Sequence, residues 1–273
     1  MGNKVVEVLS ALTTSSQEAA PDILVMNFTV VTACIVGNPD NKTGEWVLID
    51  TGLENSADFI LETAAERFEN NRPQAIILTH GHFDHVGSVM KLSEFWDVPV
   101  YIHRLELPYV TGKKDYPTGD PTVSSGMVAK MSPSFPHTSI DLSYRAAALP
   151  ANGSIPGMTG WEWIHTPGHT EGHISLFREE DRVLIAGDAF STTKQESLWS
   201  VITQREQISG PPKYLTTDWE AAEESVKHLK DLNPSLVIPS HGKPMKGEEL
   251  TKHLELLASH FREIAKPEQG RFV

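Results

Sequence analysis

The sequence holds one cysteine, Cys34, among 273 residues. A lone cysteine excludes an internal disulfide and every zinc pattern built on cysteine pairs. It reads as a small apolar residue buried in a strand. Basic charge is also scarce: 23 Lys and Arg stand against 36 Asp and Glu, a formal net charge of −13. Capture of a phosphate backbone needs clustered cations, so neither nucleic acid nor an anionic membrane is an expected partner, and most of the acidic charge is expected on solvated surface. No apolar run approaches the roughly 20 residues that span a bilayer; the longest, at 30–36, has the length of a strand. The first residues offer an early lysine and then an apolar stretch broken by Glu7 and a Ser/Thr run, which is not a secretion signal. Val6 stands where an N-myristoylation motif has Ser or Thr. A cytoplasmic protein is the expectation.

What is present is an ordinary apolar content, 39%, and enough length to bury a sizeable core. A single domain over 1–273 is expected. Residues 22–36, rich in Val, Ile and Thr, read as one or two strands. Residues 46–50 read as a short apolar strand that stops at the turn signal Asp50-Thr51-Gly52. Ser56 then caps a helix running to about residue 68, and 75–79 is another buried strand. A helix from 87 to about 95 and a strand at 99–102 follow. The later half repeats this rhythm: a strand at 183–186, a helix at about 219–232, a strand at 236–239, and a closing helix at about 248–264 with a frayed tail. Thus VLIDTG, helix, AIILTHGH is echoed by VLIAGDAF, helix, LVIPSHGK. A duplicated strand–helix–strand unit, with two sheets face to face and helices outside, satisfies both copies, and polar residues then collect where strands end. Two irregular segments break the rhythm, 104–160 and 189–218. Long irregular segments inside a compact domain read as walls of a substrate pocket, with Tyr109, Tyr116, Phe190 and Trp199 either lining it or packing beneath it.

The strongest chemical signal is His80-Gly81-His82-Phe83-Asp84-His85. Imidazole nitrogen and carboxylate oxygen are the ligands of zinc, iron or manganese. In an extended loop residues i and i+2 point the same way, so His80 and His82 reach one ion. Asp84 and His85 follow where the chain turns toward the next helix, and they face a second. Gly81 keeps the turn feasible, and Gly87 lets the helix start close by. With 12 histidines in the chain, chance produces such a run in roughly one sequence per thousand, so a metal site outweighs a polar loop. Three weaker signals sit at matching places. His169 lies in the tight turn Thr166-Pro167-Gly168-His169-Thr170, and Asp188 and His241 each end an apolar strand. His173 is either a support of the site or a satisfied core histidine. His103, His137, His165, His228, His253 and His260 read as surface or core histidines.

In order and spacing, THGHFDHVG, TPGHTEGH, IAGDAF and IPSHGK resemble the metallo-β-lactamase-fold hydrolases over about residues 22–260. The resemblance implies an α+β fold, the four-layer αββα sandwich, and two divalent metal ions per chain, with zinc first and iron or manganese as alternatives. It implies that His80, His82 and His169 bind one metal, that Asp84, His85 and His241 bind the other, and that Asp188 bridges them. Asp50 matches a position that supports the ligands from behind, where a histidine needs an outer acceptor to fix its tautomer; a structural turn role is the alternative. The expected chemistry is hydrolysis: a hydroxide shared by two ions attacks a carbonyl or phosphoryl centre, an ion stabilises the oxyanion, and Asp84 serves as the catalytic proton carrier to the leaving atom.

One scaffold of this kind hosts many reactions, and departures from its subgroups narrow the field. Zinc β-lactamases do not place an aspartate at the Asp188 position. Glyoxalase II enzymes carry a Gly/Cys-rich stretch where this chain has Ala189-Phe190-Ser191-Thr192-Thr193. Familiar acyl-homoserine lactonases have a tyrosine where Ser191 stands, which weakens that assignment without removing lactones. Flavo-diiron proteins use glutamate in place of His82. The expectation is therefore a hydrolase of a small-molecule ester or lactone, with thioester or phosphodiester cleavage as alternatives. Lys194, Arg205, Lys213 and Lys243 are the cations that would serve an acidic substrate. From other classes, the alternatives are a persulfide dioxygenase-like oxidoreductase with a single iron, and a silent metal-stabilised binding module. Monomer and dimer are equally open.

Overall fold

The computed structural model describes residues 14–40, 45–69, 71–193 and 208–273. They fall into two compact units, one comprising residues up to 116 with Pro136–Thr159, the other Pro117–Phe135 with Gly160–Val273. Both mix strands and helices. The segments expected to wall a pocket are thus divided between the units, and Lys194, Trp199 and Arg205 lie outside the described residues.

The first unit is built on seven strands in sequential order. They are β1 (Ser15–Ala20), β2 (Ile23–Asn27), β3 (Thr32–Val36), β4 (Val47–Ile49), β5 (Ile76–Ile77), β6 (Val100–Ile102) and β7 (Ala146–Ala148). Strands β1 to β4 pair antiparallel in turn. From β4 onward the pairing is parallel, with Ile49 opposite Ile77. A parallel pair needs a crossover, and α1 (Ala57–Phe68) supplies it between β4 and β5. Every residue of β3 and β4 is buried, as their unbroken apolar runs require. Cys34 lies in β3; burial, and then the nearby Asp50 carboxylate, push its thiol well above the ordinary pKa, so it stays neutral. Trp46 anchors the core. Its ring stacks on Phe68 at 5.0 Å, meets Trp96 edge-on at 5.4 Å, and its Nε1–H donates to Asn71 O at 2.9 Å.

Where the sequence suggests one helix from residue 87, two are found: the single turn α2 (Phe83–Val86) and α3 (Val89–Trp96). Ser56 does not cap α1. It already has helical backbone angles, at the end of the 3-10 turn Glu54–Ser56, and its hydroxyl accepts from Leu53 N–H behind it at 3.0 Å. That bond satisfies one N–H of the tight turn instead of a free N–H of α1.

The second unit has five strands in the order β12-β11-β10-β9-β8. They are β8 (Trp161–His165), β9 (Ile174–Arg178), β10 (Val183–Gly187), β11 (Leu236–Pro239) and β12 (Met245–Lys246). Among the described residues its one parallel pair is β10 with β11, and α4 (Trp219–Asp231) lies between them in the chain. Asp218 caps α4, its Oδ1 accepting from Glu220 and Ala221 N–H at 3.1 and 3.0 Å. Thus each unit contains a strand, a crossover helix and a parallel strand, the echo visible in the sequence. The closing helix is broken at His260 (φ −129°) into α5 (Gly247–Ser259) and α6 (Phe261–Ile264). The tail is not frayed: Arg271 N–H donates to the Asp120 carboxylate, and Gln269 Nε2 to Thr122 O at 3.0 Å. Phe190, considered above as pocket lining, is fully buried in this unit's core beside Trp219 and Phe261. Among the described residues no helix is long and apolar enough to cross a membrane.

Trp46→Ala is expected to destabilise the fold by about 3–5 kcal/mol, the usual cost of emptying a buried aromatic site. Denaturant unfolding followed by circular dichroism checks this, and a loss below about 1 kcal/mol would remove Trp46 as the anchor.

Candidate metal centre

In the first unit the chemistry lies just past the C-terminal ends of β4 and β5. Parallel neighbours end on the same side of a sheet, which is where open α/β sheets gather ligands. Asp50 follows β4 with a left-handed backbone (φ 56°), a conformation Asp tolerates better than most residues. That turn brings its carboxylate across to β5. Oδ1 accepts from Thr79 N–H, and Oδ2 from both the Thr79 hydroxyl and His85 Nδ1–H, all at 2.8 Å. The Thr79 hydrogen is spent on Asp50, so toward His80 Nδ1, at 3.1 Å, the hydroxyl acts as acceptor. Both His80 and His85 therefore carry the proton on Nδ1 and present Nε2 as a lone pair.

These lone pairs converge. His80 Nε2 is 2.9 Å from His82 Nδ1, and the His80 and His85 rings lie 4.1 Å apart. His82 is extended (φ −67°, ψ 153°), and the single turn of α2 then carries Asp84 and His85, with His85 Nε2 3.9 Å from Asp84 Oδ1. All four side chains are buried.

In the second unit Asp188 follows β10 and His241 follows β11, again past the ends of a parallel pair, with Gly187 opposite Pro239. Asp188 Oδ2 lies 3.1 Å from His241 Nε2 and 3.2 Å from His169 Nε2. His169 is placed by the turn after β8. Gly168 (φ 133°) presses so closely on α4 that an added Cβ would sit 2.4 Å from Ala222 N. Its carbonyl accepts from Thr217 and Asp218 N–H at 3.1 and 2.9 Å. Thr216 donates its hydroxyl hydrogen to Pro212 O at 2.8 Å, so it accepts from His169 Nδ1–H at 3.2 Å. Nε2 of His169 is again the lone pair, and it faces a carboxylate oxygen.

His173 resolves to a support. Fully buried, it accepts the Asp188 backbone N–H on Nε2 at 2.8 Å and is held from behind by Thr166 O at 3.1 Å from Nδ1. Its ring fills the space where a Cβ on Gly187 would come within 2.5 Å, so glycine is required there.

In both units candidate ligand atoms face each other at about the separation of two ligands on one ion. Two ligands of a tetrahedral zinc stand about 3.3 Å apart, close to these separations. The donor sets therefore fit divalent ions. Thr79, Thr216 and the orienting role of His173 carry no sequence signal of their own; a hydroxyl becomes diagnostic only once its second partner is known.

Asp50→Ala removes the acceptor shared by His85 and Thr79. It is expected to weaken metal affinity about 10- to 100-fold, the usual cost of losing an outer partner of a ligand, with Thr216→Val shifting it the same way. Competition against a chromophoric chelator measures this; unchanged affinity in both variants would refute the tautomer argument.

A sequence profile described as "Metallo-beta-lactamase superfamily" matches residues 29–241, a span that takes in all seven residues of the two donor sets. The chain is 51% identical over 220 residues to the probable metallo-hydrolase YflN of Bacillus subtilis (strain 168), covering 80% of this chain and 83% of the relative. It is 30% identical over 214 residues to the probable metallo-hydrolase YybB of the same organism, covering 78% and 83%. Among solved structures it is similar to TTHA1623 in a di-iron-bound form, with 26% identity, a TM-score of 0.56 and coverage of 90% of this chain and 96% of that one. It also shares the fold of the B3 metallo-beta-lactamase BLEG-1, at 22% identity, a TM-score of 0.55 and coverage of 91% and 97%. The α+β class expected from the motifs is the class these proteins share, and the chain belongs to the metallo-beta-lactamase superfamily, a family of metal-dependent hydrolases.

Proposed function

We propose that this protein hydrolyses a small-molecule carboxylic ester or lactone bearing an apolar group, at a centre for two divalent ions. In this reading His80, His82 and His169 hold one ion, Asp84, His85 and His241 the other, and Asp188 serves both. The convergent lone pairs within each unit and the span of the family profile support it. When bound, the ions lower the proton affinity of water and polarise the scissile carbonyl. Asp84 holds or moves a proton at its carboxylate; Asp50 and Thr216 keep the ligating rings in one tautomer. Zinc is the proposed ion, since its four-coordinate preference suits imidazole and carboxylate donors. Iron is the alternative, and TTHA1623 is a relative described in a di-iron-bound form.

The observation that carries the substrate class is a cleft of about 470 Å³ within the first unit. Leu53, Phe83, Val86, Met90 and Ile140 give it an apolar wall, and Gly81 of the histidine run lies at its edge. Among its described lining residues the only Lys or Arg is Lys91, whose Nζ is paired with Asp58 Oδ1 at 2.6 Å. Such a wall favours an alkyl or aryl group by about 25 cal/mol per Å² buried and offers no dedicated cation to a phosphate. Of the aromatic residues singled out in the sequence, Tyr116 lines the cleft and Tyr109 stacks beneath it.

Three measurements test this reading. Purified protein is expected to turn over a neutral lactone with a higher kcat/KM than a phosphodiester; the reverse ranking would sink the substrate class, and one iron per chain with oxygen uptake would replace hydrolysis by dioxygenase chemistry. Asp188→Ala is expected to lose metal and at least about 100-fold in turnover; full metal content with full turnover would overturn the shared centre. Met90→Ala is expected to raise KM about 10-fold for a long-chain ester while sparing an acetate ester, and equal losses on both would take the cleft out of substrate binding.

A further inference from the structure

Glu106 is fully buried, 0% exposed, although nothing in the proposed chemistry uses it. It stands at the start of a short helix, Leu107–Val110, and its carboxyl points back at the histidine run. Burying a carboxyl costs several kcal/mol of lost hydration unless strong hydrogen bonds replace it. Here they do. The Tyr116 hydroxyl donates to Glu106 Oε2, and Gly81 N–H donates to both the same Oε2, at 3.2 Å, and the Tyr116 oxygen, at 3.0 Å. The phenol is thus fully committed: its hydrogen goes to Glu106 and its oxygen accepts from Gly81.

The site of attachment is what matters. Gly81 is the residue between His80 and His82, and its amide plane sets the angle between the two side chains whose nitrogens face each other at 2.9 Å. A Cβ on Gly81 would come within 2.7 Å of the Tyr116 oxygen, so only glycine permits this grip. The Tyr116 ring also packs on the His82 ring at 4.3 Å, and Tyr109 backs it in a stack at 4.0 Å and 8°. One tyrosine therefore holds the amide of the preceding Gly81 and packs, tilted at 52°, on the His82 ring.

We infer that Tyr116 and Glu106 are a positioning pair, which fixes the Gly81 amide and thereby the distance and angle between His80 Nε2 and His82 Nδ1 toward a metal ion. The inference rests on the part of the proposed function that gives His80 and His82 a common ion. Productive geometry in such sites tolerates displacements of only about 0.5 Å, and a bifurcated N–H held by a rigid phenol and a buried carboxyl supplies that rigidity where a flexible loop would not.

The test uses the full-length protein stripped of metal, with Tyr116→Phe, Glu106→Gln and Glu106→Ala, and His82→Ala as the reference for a lost ligand. Zinc affinity is measured by chelator competition, coordination geometry by the visible spectrum of the cobalt-loaded protein, and stability by thermal unfolding of the apo form. Tyr116→Phe keeps the ring and is expected to weaken zinc binding about 10- to 100-fold and to shift the cobalt bands, with apo stability changing much less than in Glu106→Ala. Glu106→Gln, whose amide oxygen still accepts, is expected to recover part of the affinity lost in Glu106→Ala. Wild-type affinity and an unchanged cobalt spectrum in both Tyr116→Phe and Glu106→Ala, alongside a large loss in His82→Ala, would overturn the pair alone. Unchanged affinity in His82→Ala would overturn the shared ion and this inference with it.

Discussion

Two parallel strands joined by a helix end on the same side of their sheet, and the residues just beyond them become neighbours whatever their separation along the chain. The candidate chemistry of this protein depends on that constraint, and it is met twice. In the first unit β4 and β5 end at Asp50 and at Thr79-His80; in the second, β10 and β11 end at Asp188 and His241. Each time an acidic residue follows the first strand and a histidine the second, and each time glycine or a left-handed backbone lets the chain turn sharply at the strand end. The crossover helices α1 and α4 are then structural necessities of the topology, and their apolar faces complete the core of each unit.

Bringing carboxylates and imidazoles together in buried positions raises a second demand. An unsatisfied buried polar group costs roughly 1–3 kcal/mol, so every ring nitrogen turned away from the centre needs a partner. Two threonines meet it in the same manner. Thr79 gives its hydrogen to Asp50, and Thr216 gives its hydrogen to Pro212 O, which leaves each hydroxyl as an acceptor for a histidine Nδ1–H. The direction of a single O–H bond thus decides which nitrogen of the ring offers a lone pair. Glu106 and Tyr116 apply the same economy of donors and acceptors to a backbone amide.

Much of this was legible in the chain. The strands β4, β5, β10 and β11 are short apolar runs bounded by turn residues, and the ligand types sit at their ends in an order that resembles one superfamily; such signals are local and survive reading one segment at a time. Helix boundaries were less legible, because cap residues are ambiguous. Ser56 and Asp218 are both good cap types, yet only Asp218 turns its oxygen onto the helix; Ser56 is drawn backward by Leu53 N–H. Phe190, in the irregular segment 189–218, had two readings, pocket lining or packing, and the chain leaving β10 turns its ring into the core. His173 carried two readings until its Nε2 was found on the Asp188 amide.

By itself the sequence determined the candidate donor chemistry: imidazoles and carboxylates in place of thiols, a net charge of −13, and the superfamily to which four short motifs point. It could do so because these properties belong to single residues or to contiguous runs. Only the tertiary structure decided which proton sits on which ring, which glycine admits no side chain, and which buried groups hold the ligands still. Thr216 and His169 are 47 residues apart, Asp50 and His85 are 35, and Tyr116 and Gly81 are also 35. Contacts at such separations follow no local periodicity; they exist because strand pairing and packing bring the groups within hydrogen-bonding distance, and a hydrogen bond acts only at that range.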